Sequence, residues 1–73
     1  MEFEDMTPRF RVGDRVQIDR SIQTMPALPS YAGTIRQIIP SYVDNSIGYN
    51  VTLDDDARPN RLWFFLQAQL TPA

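Results

Sequence analysis

The sequence contains no cysteine and no histidine among its 73 residues. Without cysteine the chain can form neither disulfides nor thiolate metal sites, and without histidine it lacks a common zinc ligand and every histidine-dependent catalytic triad. Its serine and threonine hydroxyls have no histidine or lysine to activate them, and its three glycines form no glycine-rich phosphate-binding loop. We therefore expect a protein that is not an enzyme and that binds no cofactor and no metal.

Lysine is also absent, so all seven positive charges are arginine against nine acidic residues, a formal net charge of −2. Nonspecific nucleic-acid binding depends mainly on neutralising phosphates, so this balance disfavours a nucleic-acid partner unless the arginines cluster. Long apolar runs are missing too, because no segment approaches the roughly 18–20 residues that span a bilayer. Residues 1–5 are acidic where a signal peptide is basic. The sequence thus predicts a cytoplasmic protein with no membrane segment.

The length allows one small domain, since a chain of this size buries only about 60% of the surface that its unfolded form exposes. Residues 1–9 hold three acidic side chains and end near Pro8, a composition typical of a flexible acidic tail. Residues 10–73 are the predicted domain. Within it, Phe10 and Val12 are expected to cover one end of the core.

Short apolar segments separated by turn residues predict an all-β domain of five strands. A long irregular loop with Pro26 and Pro29, residues 19–32, separates the first two strands, and Pro40 is expected to end the second. A single helical turn is predicted at 67–69. The predicted strands cover residues 15–18, 33–39, 48–53, 61–66 and 70–71.

The fourth predicted strand carries the only tryptophan and two of the four phenylalanines. Alternate residues of a strand point to opposite faces, so Leu62, Phe64 and Leu66 share one face and Trp63 and Phe65 share the other. Three apolar side chains in phase fill a core better than two. The sequence therefore places the first set inward and leaves Trp63 and Phe65 outward as a docking face.

An alternative interpretation of Trp63 stays open. Leu28 and Tyr31, from the long loop, could cover Trp63 and return it to the core.

The third predicted strand is less ambiguous, because its apolar residues alternate regularly and point inward: Tyr49, Val51 and Leu53.

Two arginines fall on outward strand positions, Arg36 and Arg61. With Tyr31 or Tyr42 nearby, they would form an arginine and aromatic patch suited to a protein hot spot or to stacked bases. Isolated strand arginines more commonly form a solvated face that discourages edge pairing.

The only run of carboxylates is Asp54, Asp55 and Asp56. Oxygen ligands of this kind suit calcium or magnesium, but consecutive acids do not match the alternate spacing of an EF-hand loop. A solvated turn is the preferred interpretation.

Four segments combine strand and turn residues in a recurring arrangement: FRVGDRVQI at 10–18, GTI at 33–35, YNVTL at 49–53 and FLQAQLTP at 65–72. Together they resemble the SH3-like barrel family, whose members include the C-terminal domain of the nitrile hydratase beta subunit, a small accessory protein of photosystem I, the variable chain of ferredoxin–thioredoxin reductase and KOW-type domains. The resemblance spans residues 10–72. It implies a small five-stranded SH3-like barrel that serves as an accessory or binding module on a larger protein.

Three functional hypotheses follow. The first is a noncatalytic adaptor or accessory subunit that docks on a larger protein through the outer face of the fourth strand and the loop 19–32. The second is a nucleic-acid-associated module, and the third is a homodimer that pairs through its own aromatic face. The predicted partner-binding residues are Trp63, Phe65, Tyr31, Tyr42, Arg36 and Arg61.

Overall fold

The structure is a computed structural model that describes residues 8–22 and 27–73. Most of the predicted tail, residues 1–7, and part of the predicted loop, residues 23–26, lie outside the described residues. The described chain is all-β, as the sequence predicts. Its elements are β1 (Arg15–Ile18), β2 (Ala32–Ser41), β3 (Ser46–Leu53), β4 (Trp63–Leu66), a 3₁₀ helix (Gln67–Gln69) and β5 (Leu70–Pro72).

The five strands form one antiparallel sheet in the order β4-β3-β2-β1-β5. The first strand therefore lies between the second and the last, and β4 and β5 are the two edges. In the described ranges these edge strands do not pair with each other. No helix of these ranges has the length and apolarity needed to cross a membrane.

The core is built from alternate residues of every strand, together with Phe10 from the segment before β1. The inward positions predicted for β3 are confirmed, since Tyr49, Val51 and Leu53 are buried. The Phe10 ring meets the Tyr49 ring edge-on, with centroids 5.4 Å apart. The buried apolar residues of the described chain are Phe10, Val16, Ile18, Ile35, Ile47, Tyr49, Val51, Leu53, Phe65 and Leu70.

The predicted orientation of β4 is wrong. Phe65, predicted to face outward, is only 3% exposed, whereas Phe64 is 54% exposed. The register explains the reversal: Phe65 lies opposite Tyr49, and directly opposite residues of an antiparallel pair point to the same face. The side chains that β4 contributes to the core side are therefore Trp63 and Phe65.

Val12 departs from its predicted role at the end of the core. It is 63% exposed, although Phe10 is buried as expected. The difference arises from a tight turn after Phe10, in which the Asp14 N–H donates to the Arg11 carbonyl at 3.0 Å and the Arg11 N–H donates to Asp14 Oδ2 at 2.9 Å. This turn directs Val12 away from the core.

Pro40 does not end β2, which runs on to Ser41. Pro40 pairs with Ile47 of β3, while β1 pairs only with residues 32–34 of β2. Among the described residues, the far end of β2 consequently has one unpaired edge, where a proline that lacks an N–H is tolerated.

Candidate docking surface

A row of large apolar side chains is exposed on the outer face of β4. It consists of Leu62, just before the strand, with Phe64 and Leu66, and we call it the β4 outer row. The exposed fractions are 49% for Leu62, 54% for Phe64 and 45% for Leu66. Single exposed apolar residues are common, but a contiguous group on one strand is typical of an interaction site.

Gly48 of β3 is buried beneath the β4 outer row. The Phe64 ring lies over Gly48, in the space that a β-carbon on that glycine would occupy. Gly48 pairs with Leu66 on one side and with Ile39 of β2 on the other. Since directly opposite residues point to the same face, Ile39 continues the surface beyond β3.

A polar pair borders the apolar surface. Asn50 lies opposite Phe64, and its Nδ2 donates to Gln37 Oε1 at 3.0 Å. An apolar centre with a polar border is the usual anatomy of a protein interface.

Trp63 lies on the inner face of β4 and is half-buried against the core. Its Nε1 donates to Asp56 Oδ2 at 3.0 Å, and the Arg61 guanidinium carbon is 4.4 Å from the centroid of its ring. The contact that the structure shows over the ring is thus with Arg61, a cation–π arrangement. These contacts hold the inner face of β4 against the preceding loop. The β4 outer row lies on the opposite face of the strand.

Asp56 is the centre of this attachment, and its side chain is only 2% exposed. Besides the indole N–H, its carboxylate accepts hydrogen bonds from Arg61 Nη2 at 2.8 Å and from the Arg58 backbone N–H at 2.9 Å. These donors, led by the Trp63 N–H, lower the Asp56 pKa to about 2. The preferred interpretation of the acidic run as a solvated turn is therefore wrong for this residue.

The other two acids of the run have different surroundings. Asp54 pairs with Arg15 at 2.6 Å, and the hydrogen bond from Arg15 lowers the Asp54 pKa. Asp55 is exposed and adopts a positive φ of 59°. In the part of the chain that the structure describes, no three His, Cys, Asp or Glu side chains are grouped as metal ligands would be.

We expect the Asp56 carboxylate to stabilise the fold in a way that depends on pH. Asp56→Asn is expected to lower the melting temperature at neutral pH, because the charged acceptor of the Trp63 and Arg61 hydrogen bonds is lost. The folded-state pKa lies below the unfolded value, so the carboxylate stabilises the fold fully above about pH 4 and loses this effect as the pH falls toward 2. Melting temperatures of both proteins should therefore converge as the pH approaches 2. A difference that stays constant down to that pH would contradict the assignment.

The predicted arginine and aromatic patch is not assembled as one cluster. Arg61 is bound to Asp56, and Arg36 is exposed at a bulge of β2, which β3 separates from β4. Tyr31 is half-buried beneath Arg20, whose guanidinium carbon is 5.1 Å from the ring centroid. Tyr42, 78% exposed, lies in the turn between β2 and β3.

Of the six predicted partner-binding residues, the structure therefore joins only Arg61 and Trp63 in one cluster, and that cluster supports the fold. The exposed residues Leu62, Phe64 and Leu66 are ones that the sequence pattern places in the core. The signal that could have found them is the register of β4 on β3, because Phe65 opposite the inward Tyr49 fixes the faces of the whole strand.

Comparisons of this chain with models of protein families, with curated proteins and with solved structures gave no match.

Proposed function

We propose that this protein is a noncatalytic, cytoplasmic protein-binding module that docks on a larger protein through the β4 outer row. The observation that carries the proposal is the exposure of Leu62, Phe64 and Leu66 on one face of an edge strand. Burying a large apolar side chain completely contributes about 1.5–3 kcal/mol, so covering these half-exposed side chains would contribute about 1 kcal/mol each. A partner would cover all three together with the partly exposed Ile39.

The strand order supports a further part of the proposal, that the sheet is an SH3-like barrel. The first strand lies between the second and the last, and a 3₁₀ turn joins β4 to β5. In a strongly twisted sheet of this order, both edges can curl over one core. Phe10, placed over Tyr49, would then close one end of the barrel.

Docking on a protein is favoured over binding to nucleic acid because of how the arginines are used. Arg15 and Arg61 are each bound to a carboxylate, which reduces the charge available for phosphates. The β4 outer row itself contains no charged side chain. A surface of this composition is better matched by apolar protein side chains than by a phosphate backbone.

The proposal is tested by tagged capture from native lysate, with and without nuclease, comparing wild type with Leu62→Ser, Phe64→Ser and Leu66→Ser. Val12→Ser is the matched control, because Val12 is also an exposed apolar residue but belongs to the turn before β1. Each row variant is expected to lose a nuclease-resistant protein, by about fivefold or more for about 1 kcal/mol of lost contact. The Val12→Ser variant should retain it.

Two results would contradict the proposal. One is a captured species that nuclease or moderate salt removes from every variant alike, which would point to phosphate-driven binding. The other is a protein partner that Val12→Ser loses as readily as Phe64→Ser. Thermal melts of each variant establish that any loss of partner is not a loss of fold.

A further inference from the structure

We infer that a polar depression between the end of β1, the start of β2 and β5 binds a carboxylate group through Arg20. This site is separate from the proposed docking surface, because β1 and β5 lie at the opposite end of the strand order from β4. The depression has a volume of about 270 Å³, and its polar lining includes Gln17, Arg20, Ser30 and Thr71. Among the described residues, no acidic side chain belongs to this lining.

The register of the strands accounts for the depression. Gln17 of β1 lies opposite Ala32 of β2 and opposite Thr71 of β5. Directly opposite residues point to the same face, so two short side chains flank the exposed Gln17 on the outer side of the sheet. The small size of these neighbours leaves room for a ligand group beside the Gln17 amide.

Arg20 is positioned at the border of the depression by Tyr31. Its guanidinium carbon lies 5.1 Å from the centroid of the Tyr31 ring, a cation–π arrangement. The backbone fixes Tyr31 in turn, because the Ile18 N–H donates to the Tyr31 carbonyl at 2.8 Å. A guanidinium placed over a ring keeps the N–H donors along its planar edge, and two of them can bind both oxygens of one carboxylate.

The acid next to Arg20 in the chain is bound elsewhere. Asp19 Oδ1 accepts hydrogen bonds from the Ser21 backbone N–H and from the Ser21 hydroxyl, both at 2.9 Å. In the part of the chain that the structure describes, Arg15 and Arg61 form ion pairs and Arg20 forms none. Arg20 therefore brings to the depression a positive charge that no described carboxylate neutralises.

Neutral donors surround this charge. Ser30 Oγ accepts the Ala32 backbone N–H at 3.2 Å, so its own O–H can donate to a ligand. The Thr71 hydroxyl and the Gln17 amide are donors of the same lining. One cation with neutral donors matches the single charge of a carboxylate better than the larger charge of a phosphate monoester, which a chain of net charge −2 would repel.

A small acid and an acidic peptide would present the same group to Arg20. Residues 23–26, which follow Arg20 in the loop, lie outside the described residues, and their sequence contains no acid. The acids at positions 2, 4 and 5 also lie outside the described residues. We assign the site to a carboxylate from outside the chain, and amide variants of those three acids distinguish the two sources.

The site is tested by NMR on the intact, isotope-labelled protein, with benzoate and its neutral isostere benzamide added at constant ionic strength. Benzoate is expected to shift the signals of Gln17, Arg20 and Thr71 and to bind about tenfold more tightly than benzamide. Arg20→Gln should remove this difference. Arg36→Gln is the matched control and should preserve it, since Arg36 is also an exposed arginine but does not line the depression.

A short peptide with one glutamate, compared with its glutamine counterpart, separates the two external sources of the carboxylate. Tighter binding of the glutamate peptide than of benzoate would identify a peptide as the ligand. Equal or weaker binding would identify a small acid. Both results require the glutamine peptide to bind more weakly than the glutamate peptide.

Four results would overturn the inference. Equal binding of benzoate and benzamide would refute a charged ligand, and tighter binding of inorganic phosphate than of benzoate would refute a carboxylate. An equal loss in Arg20→Gln and Arg36→Gln would show a general charge effect. Tighter benzoate binding after the acids at positions 2, 4 and 5 are replaced by amides would show that the chain's own carboxylates occupy the site. Docking on the β4 outer row would stand in each case.

Discussion

Phe65→Ala is expected to lower the free energy of unfolding by about 3–5 kcal/mol, whereas the neighbouring Phe64→Ala is expected to lower it by about 1 kcal/mol. Phe65 is 3% exposed and lies opposite the buried Tyr49, so its truncation leaves a cavity in the core. Phe64 is 54% exposed and can be truncated without a cavity. The pair compares the two faces of β4 with the same chemical change.

Urea unfolding of the two variants measures this difference directly. For a domain of this size, a loss of 3–5 kcal/mol is a large part of the total stability. If Phe65→Ala does not fold, Phe65→Leu retains more volume and should still be less stable than Phe64→Leu. Equal losses, or a larger loss at Phe64, would reverse the assignment of the two faces.

Gly33→Ala is expected to destabilise the protein by about 1–3 kcal/mol, and Gly48→Ala by clearly less. A β-carbon at Gly33 would press against the Thr52 carbonyl oxygen, a backbone atom, and would lie 2.9 Å from Val51 Cγ1. Relief there requires β2 and β3 to move apart, because Gly33 pairs with Leu53 in the centre of the sheet. The steric strain of the added β-carbon would therefore weaken the hydrogen-bonded pairing of β2 with β3.

At Gly48 the corresponding obstacle is the far end of the Phe64 ring, which can rotate away. Gly48→Ala should consequently keep most of its stability but displace Phe64 and weaken partner capture. Gly33→Ala should show the opposite balance, with stability lost and the β4 outer row intact in the protein that remains folded. Equal stability of both variants in urea would refute the close approach of β2 and β3 at Gly33.

Much of the fold could be predicted because its signals are local. The first strand matches its predicted bounds at Arg15–Ile18, and the alternation in β3 correctly predicts Tyr49, Val51 and Leu53 in the core. The helical turn between the last two strands is present as the 3₁₀ helix Gln67–Gln69. Each of these depends on neighbouring residues only.

The orientation of β4 and the role of Asp56 could not be predicted in this way. The faces of β4 depend on its register with β3, which pairs residues about sixteen positions apart in the chain, as in Tyr49 with Phe65. Asp56 looks like a surface acid until Arg61 and Trp63 are placed around it. Both errors affected the candidate site, because a row of large apolar residues fits either face of an isolated strand.

The Asp56 cluster and the β4 outer row belong to one arrangement. Trp63 is held on the inner side by the Asp56 carboxylate and by Arg61, so the alternate residues Leu62 and Phe64 face outward. The loop before β4 thereby fixes which side of the strand a partner can reach.

The measurement that tests docking through the β4 outer row most directly is site-specific photo-crosslinking in the native cell. A photoreactive phenylalanine analogue replaces Phe64 in one protein and Val12 in a control protein. We expect a covalent adduct with another protein from position 64 and none from position 12. Adducts from position 12 alone, or nucleic acid as the species attached at position 64, would contradict it.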